Sequence, residues 1–253
     1  GMPGCGKSMI AKAIANEFAM PLLRLDINRM MGKYVGESEA NLRKALKIAE
    51  AIHPCVLWID EVEKAFAGSS GGEGDSVVVR LMGYFLTWMQ EKTKPVFVVA
   101  TANDISQLPP EFLRKGRFDE IFFVDLPTKE ERKEILRIHL TKNNQTGIHE
   151  LDGLADATQL FNGAEIEEAV KESMFLAYVD NPTNPVVNVR HLEIACSQII
   201  PLAKTMSEKI RGLRGWADDR ARRASRIANK ELLPEIQAGI KKTKREKDED
   251  TFG

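Results

Sequence analysis

The run Cys55-Val56-Leu57-Trp58-Ile59 is apolar without interruption, the pattern of a strand buried on both faces rather than one with a wet side. Pro95-Val96-Phe97-Val98-Val99-Ala100 and Ile121-Phe122-Phe123-Val124 repeat that pattern, and residues 21–26 read as a shorter strand. Between these runs the period changes. From Ser38, a candidate N-cap, apolar Leu42, Ala45, Leu46 and Ala49 recur at helical spacing until His53-Pro54 ends the run. Further helices are expected after residues 1–8, running through about Phe18, and over 76–90, behind a Gly/Ser-rich stretch at 68–74. Strands alternating with helices predict a parallel sheet with helices on both faces, joined by right-handed crossovers. After Pro127 the alternation stops. Thr128-Lys129-Glu130-Glu131 is a capping box, and everything beyond it reads helical, over 150–158, 163–179, 188–200, 203–228 and 230–246. The expected organisation is an α/β domain over 1–127, a small all-α domain over 128–200 and a helical, basic C-terminal extension over 201–253.

Composition narrows the class. A chain of 253 residues with 43% hydrophobic and 29% charged residues is long and apolar enough for a large and a small domain. No apolar run approaches the roughly 20 residues of a membrane span. Cys5, Cys55 and Cys196 are too few and too scattered for a disulfide framework or a zinc site, so a reducing compartment is expected. The formal net charge of −1 hides an asymmetry, because the stretch from Ala203 onward is basic and the preceding residues are acidic. A nucleic-acid footprint is therefore not expected of the acidic part before Ala203, whereas the basic tail is a candidate for one. Lys241-Lys242-Thr243-Lys244-Arg245 reads as a solvated helix or a disordered tail.

Candidate chemistry begins at the first residue. Gly1-Met2-Pro3-Gly4-Cys5-Gly6-Lys7-Ser8 fits the pattern G-x-x-x-x-G-K-[ST], and Met9 comes next on the first helix. Glycines let backbone N–H groups converge on phosphate oxygens, and the helix starting near Lys7 adds its positive end. Lys7 is expected to reach the β- and γ-phosphates of ATP and the Ser8 hydroxyl to bind Mg²⁺. Such a loop is the turn between a strand and a helix, yet here nothing precedes it, so the chain is expected to be an N-terminally truncated fragment whose first strand is missing. Asp60 and Glu61 end the buried run at 55–59. Asp60 is placed to hold Mg²⁺, and Glu61 to orient and deprotonate an attacking water. Cys5 lies inside the loop, where a helix N-terminus lowers a thiol's pKa. It is either an oxidation-sensitive gate on nucleotide binding or a small residue that fits.

Taken with Asn103, Arg114 and Arg117, these motifs resemble the AAA family of ATPases. In Val99-Ala100-Thr101-Ala102-Asn103-Asp104, Asn103 stands where that family has the sensor asparagine that positions the lytic water. Phe112-Leu113-Arg114-Lys115-Gly116-Arg117-Phe118-Asp119 is similar to the family's second region of homology. Its two arginines, Arg114 and Arg117, are spaced to project from one short helical face. The resemblance implies that they reach the γ-phosphate of a neighbouring subunit, or else pair with Asp119 or Glu120 in their own chain. It also places His139 near adenine and ribose, although a lone helical histidine is as readily solvated or core. Gly163-Ala164-Glu165-Ile166 resembles the small-domain segment over the nucleotide, and the lack of an arginine beside it resembles the AAA branch proper. Lys33-Tyr34-Val35-Gly36 resembles the axial pore loop by which AAA protein unfoldases grip an extended polypeptide. A basic-aromatic pair also suits single-stranded nucleic acid, and a tyrosine packed on the next helix remains a third reading. Residues 201–206, 211–216 and 220–225 extend the resemblance to the AAA proteins of cyanobacteria and plastids called hypothetical chloroplast reading frame forty-six.

The expected protein is thus a P-loop ATPase core with a small all-α lid. The resemblance implies ATP and Mg²⁺ as ligands and a homo-oligomeric ring, a hexamer by the family's habit. It further implies a polypeptide client, no membrane partner, and a plastid stroma or cyanobacterial cytoplasm as its compartment. The rival expectations are an ATP-gated scaffold that binds a partner without threading it, and a nucleic-acid motor recruited by the basic tail.

Overall fold

The computed structural model describes residues 1–27, 37–65, 73–114 and 116–225. Two compact units emerge among the described residues: Gly1 with Gly6–Ile121, and Met2–Cys5 with residues 122–225.

The first unit is a parallel sheet with helices. Its elements are α1 (Lys7–Glu17), β1 (Leu22–Leu25), α2 (Glu37–Ala51), β2 (Cys55–Ile59), α3 (Glu73–Glu91) and β3 (Val96–Ala100). The sheet order is β1-β2-β3, with Leu22 beside Val56 and Ile59 beside Ala100. β2 is buried at every position, as its unbroken apolar run predicts. Strand alternation explains why both faces are needed. Cys55, Leu57 and Ile59 join Leu42, Leu46 and Ala49 of α2 and Leu81, Phe85 and Trp88 of α3 in one core. Trp58 instead lies under the Arg24 guanidinium at 4.9 Å and the Lys12 ammonium of α1 at 5.9 Å. Each fully buried leucine here contributes about 1.5–3 kcal/mol.

β3 departs from the expectation of a strand buried on both faces. Phe97 is 54% exposed. The physical reason is position: β3 closes the sheet order, and among the described residues no strand pairs with its outer edge.

The second unit is largely helical. It contains β4 (Phe122–Phe123), α4 (Lys129–Lys142), α5 (Asp152–Ala157), α6 (Gly163–Asp180), α7 (Val189–Gln198), α8 (Leu202–Thr205), α9 (Ser207–Arg220) and β5 (Arg222–Arg223). Among the described residues three helices begin in capping boxes: Thr128 with Glu131, Asn162 with Glu165, and Asn188 with His191. Each satisfies two backbone donors that a helix start would otherwise leave open. Leu136, Leu140, Leu154, Phe161, Ile166, Val170 and Leu192 form the core. Inside it sits a charge. Arg132 is 1% exposed, and its guanidinium donates to the carbonyls of Ala155 and Pro127 at 3.0–3.1 Å. Those contacts tie the start of α4 to the end of α5.

The expected helix over 203–228 is corrected. It breaks at Met206, ends at Arg220, and gives way to β5, which runs parallel to β4. The expectation that strands stop at Pro127 fails with it. Phe122, expected in a buried strand, is 57% exposed. Ala224 N–H donates to the Phe123 carbonyl and Met2 N–H to the Val124 carbonyl, both at 2.9 Å. Successive carbonyls of an extended strand point to opposite edges, so Met2 and Ala224 flank β4 on its two sides. Arg214 of α9 grips the buried Asp125 through both carboxylate oxygens, at 2.9 and 3.1 Å, and Arg223 adds a contact at 3.5 Å. This fork holds the α9–β5 segment where a helix continuing to 228 would have carried it away. The expected helix over 230–246 lies outside the described residues. No helix among the described residues is long and apolar enough to cross a membrane.

Candidate functional site

The loop at residues 1–8 owes its shape to glycine. Gly4 has φ +70° and Gly6 φ +82°, conformations that cost other residues about 1–2 kcal/mol. Gly6 is the N-cap of α1, and no acidic residue stands in that helix's first turn to oppose an anion. Lys7 begins the helix, and its ammonium donates to the Gly1 carbonyl at 3.1 Å.

Within the second unit, Gly4 is also confined from outside. A methyl group on it would lie 2.7 Å from Oδ1 of Asn162. Ala164 N–H donates to the Gly4 carbonyl at 3.1 Å, and a Cβ on Gly163 would approach that carbonyl to 3.1 Å. Gly163 and Ala164, expected over the nucleotide, are thus brought directly onto a loop residue. Gly4→Ala is expected to lower stability by about 1–2 kcal/mol or more, measured as the urea midpoint of the full-length protein. An unchanged midpoint would contradict this account of the loop.

In the first unit a hydrogen-bonded chain runs across the ends of the strands. Ser8 Oγ donates to Asp60 Oδ1 at 2.8 Å, and Thr101 Oγ1 donates to the same oxygen at 2.7 Å. Glu61 N–H donates to Thr101 Oγ1 at 3.0 Å. Asn103 Nδ2 donates to Glu61 Oε1 at 2.9 Å, while Asn103 N–H donates to Oε1 of the buried Glu63 at 2.9 Å. Glu61 Oε2 forms an ion pair with the Lys64 ammonium, which raises the lysine's pKa from its ordinary value. Arg24 stands 3.6 Å from Asp60 Oδ2. Parallel pairing makes this cluster possible, since it brings the ends of β2 and β3 level, Ile59 beside Ala100.

A hydroxyl and a carboxylate oxygen at 2.8 Å form a hard-oxygen pair. That donor set suits Mg²⁺, which binds through one or two protein oxygens and keeps several waters. No cluster of three or more His, Cys, Asp or Glu side chains suited to another metal occurs among the described residues.

The remaining expected residues fare differently. Met2 is buried and Met9 is 70% exposed. Cys5 is a free thiol whose Sγ lies 3.6 Å from the Pro3 carbonyl. His139 is half-buried on α4, its pKa lowered by desolvation, with Nδ1 buried and without a hydrogen-bond partner among the described residues. Arg114 and Arg117 do not share a helical face. The 3₁₀ turn ends at Leu113, Arg114 is extended at φ −70° and ψ 136°, and Gly116 turns the chain at φ +91°. Arg114 is exposed, whereas Arg117 is half-buried and donates to the Glu111 carbonyl. Lys33, Tyr34, Val35 and Gly36 lie outside the described residues.

Sequence reading assigned no role to Thr101, Glu63, Lys64 or Asn162. Asn162 carried a legible signal, an N-cap type three residues before Glu165. Glu63 and Lys64 follow Asp60-Glu61 after one intervening residue, Val62, and only the 3₁₀ turn Val62–Ala65 makes them neighbours of the cluster.

A glycine-capped helix start beside a hydroxyl–carboxylate pair at strand ends defines a P-loop nucleotide-binding core. Residues 1–126 match the family described as ATPase family associated with various cellular activities (AAA), and the chain belongs to that family. It is 49% identical over 233 residues to the uncharacterized AAA domain-containing protein ycf46 of Pyropia yezoensis, covering 89% of this chain and 46% of the relative. The protein of the same name from Guillardia theta is 45% identical over 86% of this chain and 43% of its own length. Cell division control protein 48 homolog C of Arabidopsis thaliana is 35% identical over 79% of this chain and 26% of its own length. The chain thus spans about half the length of the ycf46 relatives it matches.

Proposed function

We propose that the chain is the motor module of an ATP-hydrolysing, ring-forming protein remodeller that pulls on a polypeptide client. The observation that carries the hydrolytic part is the chain of contacts from Ser8 through Asp60 and Thr101 to Glu61 and Asn103. In this reading residues 1–8, with Met9, cradle the triphosphate, Lys7 faces the β- and γ-phosphates, and His139, Gly163 and Ala164 border the base and sugar. Ser8 and Asp60 would hold Mg²⁺, which supplies charge neutralisation to the phosphates when bound. Thr101 keeps Asp60 oriented, so one Asp60 oxygen is fixed by two hydroxyls. Glu61 takes the proton of the attacking water, and Asn103 fixes the orientation of Glu61 and that water.

Arg114 and Arg117 complete the site of the neighbouring subunit, so hydrolysis depends on assembly. The client reading rests on the resemblance of Lys33-Tyr34-Val35-Gly36 to an axial pore loop. The plastid-type resemblance supports plastid stroma or cyanobacterial cytoplasm as the compartment. The domain limits that go with this reading are 1–127 for the ATPase core, 128–200 for the lid and 201–253 for the extension.

The test is the ATPase rate per subunit of the full-length protein as its concentration is varied, with its mass measured in ATP. The rate should rise with concentration and level off where the mass reaches that of a ring. A verified monomer with the same rate per subunit would reject the proposal.

A further inference from the structure

Lys64 is a neighbour of the cluster that the hydrolytic scheme leaves without a task. We infer that Lys64 is a positioning residue that holds the Glu61 carboxylate in a parked state and so restrains hydrolysis until it lets go. This inference rests on the reading of Glu61 as the general base.

The local backbone builds the contact. Glu61 sits at φ +50°, a left-handed conformation that non-glycine residues keep only when their surroundings enforce it. Two hydrogen bonds to one residue do so: Glu61 N–H donates to Thr101 Oγ1 at 3.0 Å and Val62 N–H to the Thr101 carbonyl at 2.9 Å. The chain then enters the 3₁₀ turn Val62–Ala65, with Lys64 N–H donating to the Glu61 carbonyl at 2.9 Å. Three residues complete one turn of such a helix, so side chains at i and i+3 stand over one another. Lys64 is therefore delivered onto Glu61 by the same turn that carries Glu63 to Asn103.

The consequence is chemical. Asn103 holds Oε1 and Lys64 holds Oε2, so both oxygens of the expected base are engaged by the chain itself. The Lys64 ammonium occupies an oxygen that would otherwise be open to water. Asn103 cannot give way easily, because its own N–H is anchored on the buried Glu63. Lys64 can: its side chain is 57% exposed and loses little by swinging into solvent. The releasable member of the clamp is the lysine, and the restraint it exerts is that of one exposed ion pair.

The experiment compares steady-state ATP turnover of the full-length protein with Lys64→Ala, Lys64→Arg and Glu61→Gln variants at a concentration where the native protein is assembled. Lys64→Ala should raise kcat about threefold to fivefold, the scale of a single exposed pair, with KM changed by less than about twofold. Lys64→Arg, which keeps the charge, should stay near the native rate. A Lys64→Ala kcat equal to or below native would overturn the inference, as would Lys64→Arg behaving like Lys64→Ala. Glu61→Gln separates the two layers. If it abolishes turnover while Lys64→Ala changes nothing, the parked state alone is wrong; if it turns over normally, the base assignment falls and the inference with it.

Discussion

Glu61→Gln binds ATP as the native protein does and loses turnover by about 10²–10⁴, the range of a positioned general base. The substitution is nearly isosteric and keeps an oxygen able to accept from Asn103 Nδ2, which lies 2.9 Å from Oε1 in the native chain. It removes the charge, and with it both the ion pair to Lys64 and the capacity to take a proton. Ser8, Asp60 and Thr101 keep their mutual contacts at 2.7–2.8 Å, so the oxygens assigned to Mg²⁺ are unaffected. Equilibrium binding of a fluorescent ATP analogue, set against single-turnover hydrolysis, separates the two functions. Native single-turnover rates would remove Glu61 from the role of base.

The second large effect lies at the arginines. Arg114→Ala should cost about 10³–10⁵ in kcat, the range of an arginine finger. Arg114 is exposed and extended beyond the 3₁₀ turn, so its truncation should move stability by no more than about 0.5 kcal/mol. Arg117 is a less clean probe, since it also ties its own loop to the Glu111 carbonyl. Mixing Arg114→Ala subunits with Lys7→Ala subunits provides the decisive readout. In a mixed ring some sites pair an intact Lys7 with an intact neighbouring Arg114, so activity should return although neither variant works alone. No recovery on mixing, with both variants still assembling in ATP, would place the arginine's action within its own subunit.

Much of the α/β part was legible because one strong pattern encoded it. The apolar run at 55–59 could only be a strand covered on both sides, and the Thr128 capping box marked the start of α4 where it occurs. β3 shows the limit of that reasoning, because hydrophobicity reports what a segment could bury and not its place in the sheet order. Phe97 is apolar and still half open. The spacing of Arg114 and Arg117 suggested a shared helical face, but Gly116 between them takes a conformation that breaks the turn. β5 had no pattern at all. Arg222 and Arg223 are strand residues because the edge of β4 and the carboxylate of Asp125 receive them, and both features are remote in sequence. In the candidate site the motif residues were readable one by one. Their connections were not, because Thr101, Glu63 and Lys64 act through backbone geometry that motif spacing does not carry.

Asn162 opens α6 by accepting from Glu165 N–H at 2.9 Å, and the same amide oxygen is the wall that leaves no room for a methyl group on Gly4. One side chain therefore answers to two selections. For starting a helix, aspartate serves as well as asparagine. Beside a loop shaped for phosphate it does not, because a carboxylate there would repel the anion the loop attracts. Asn162→Asp is accordingly expected to keep the helix start and to weaken the hold of the loop on an anion.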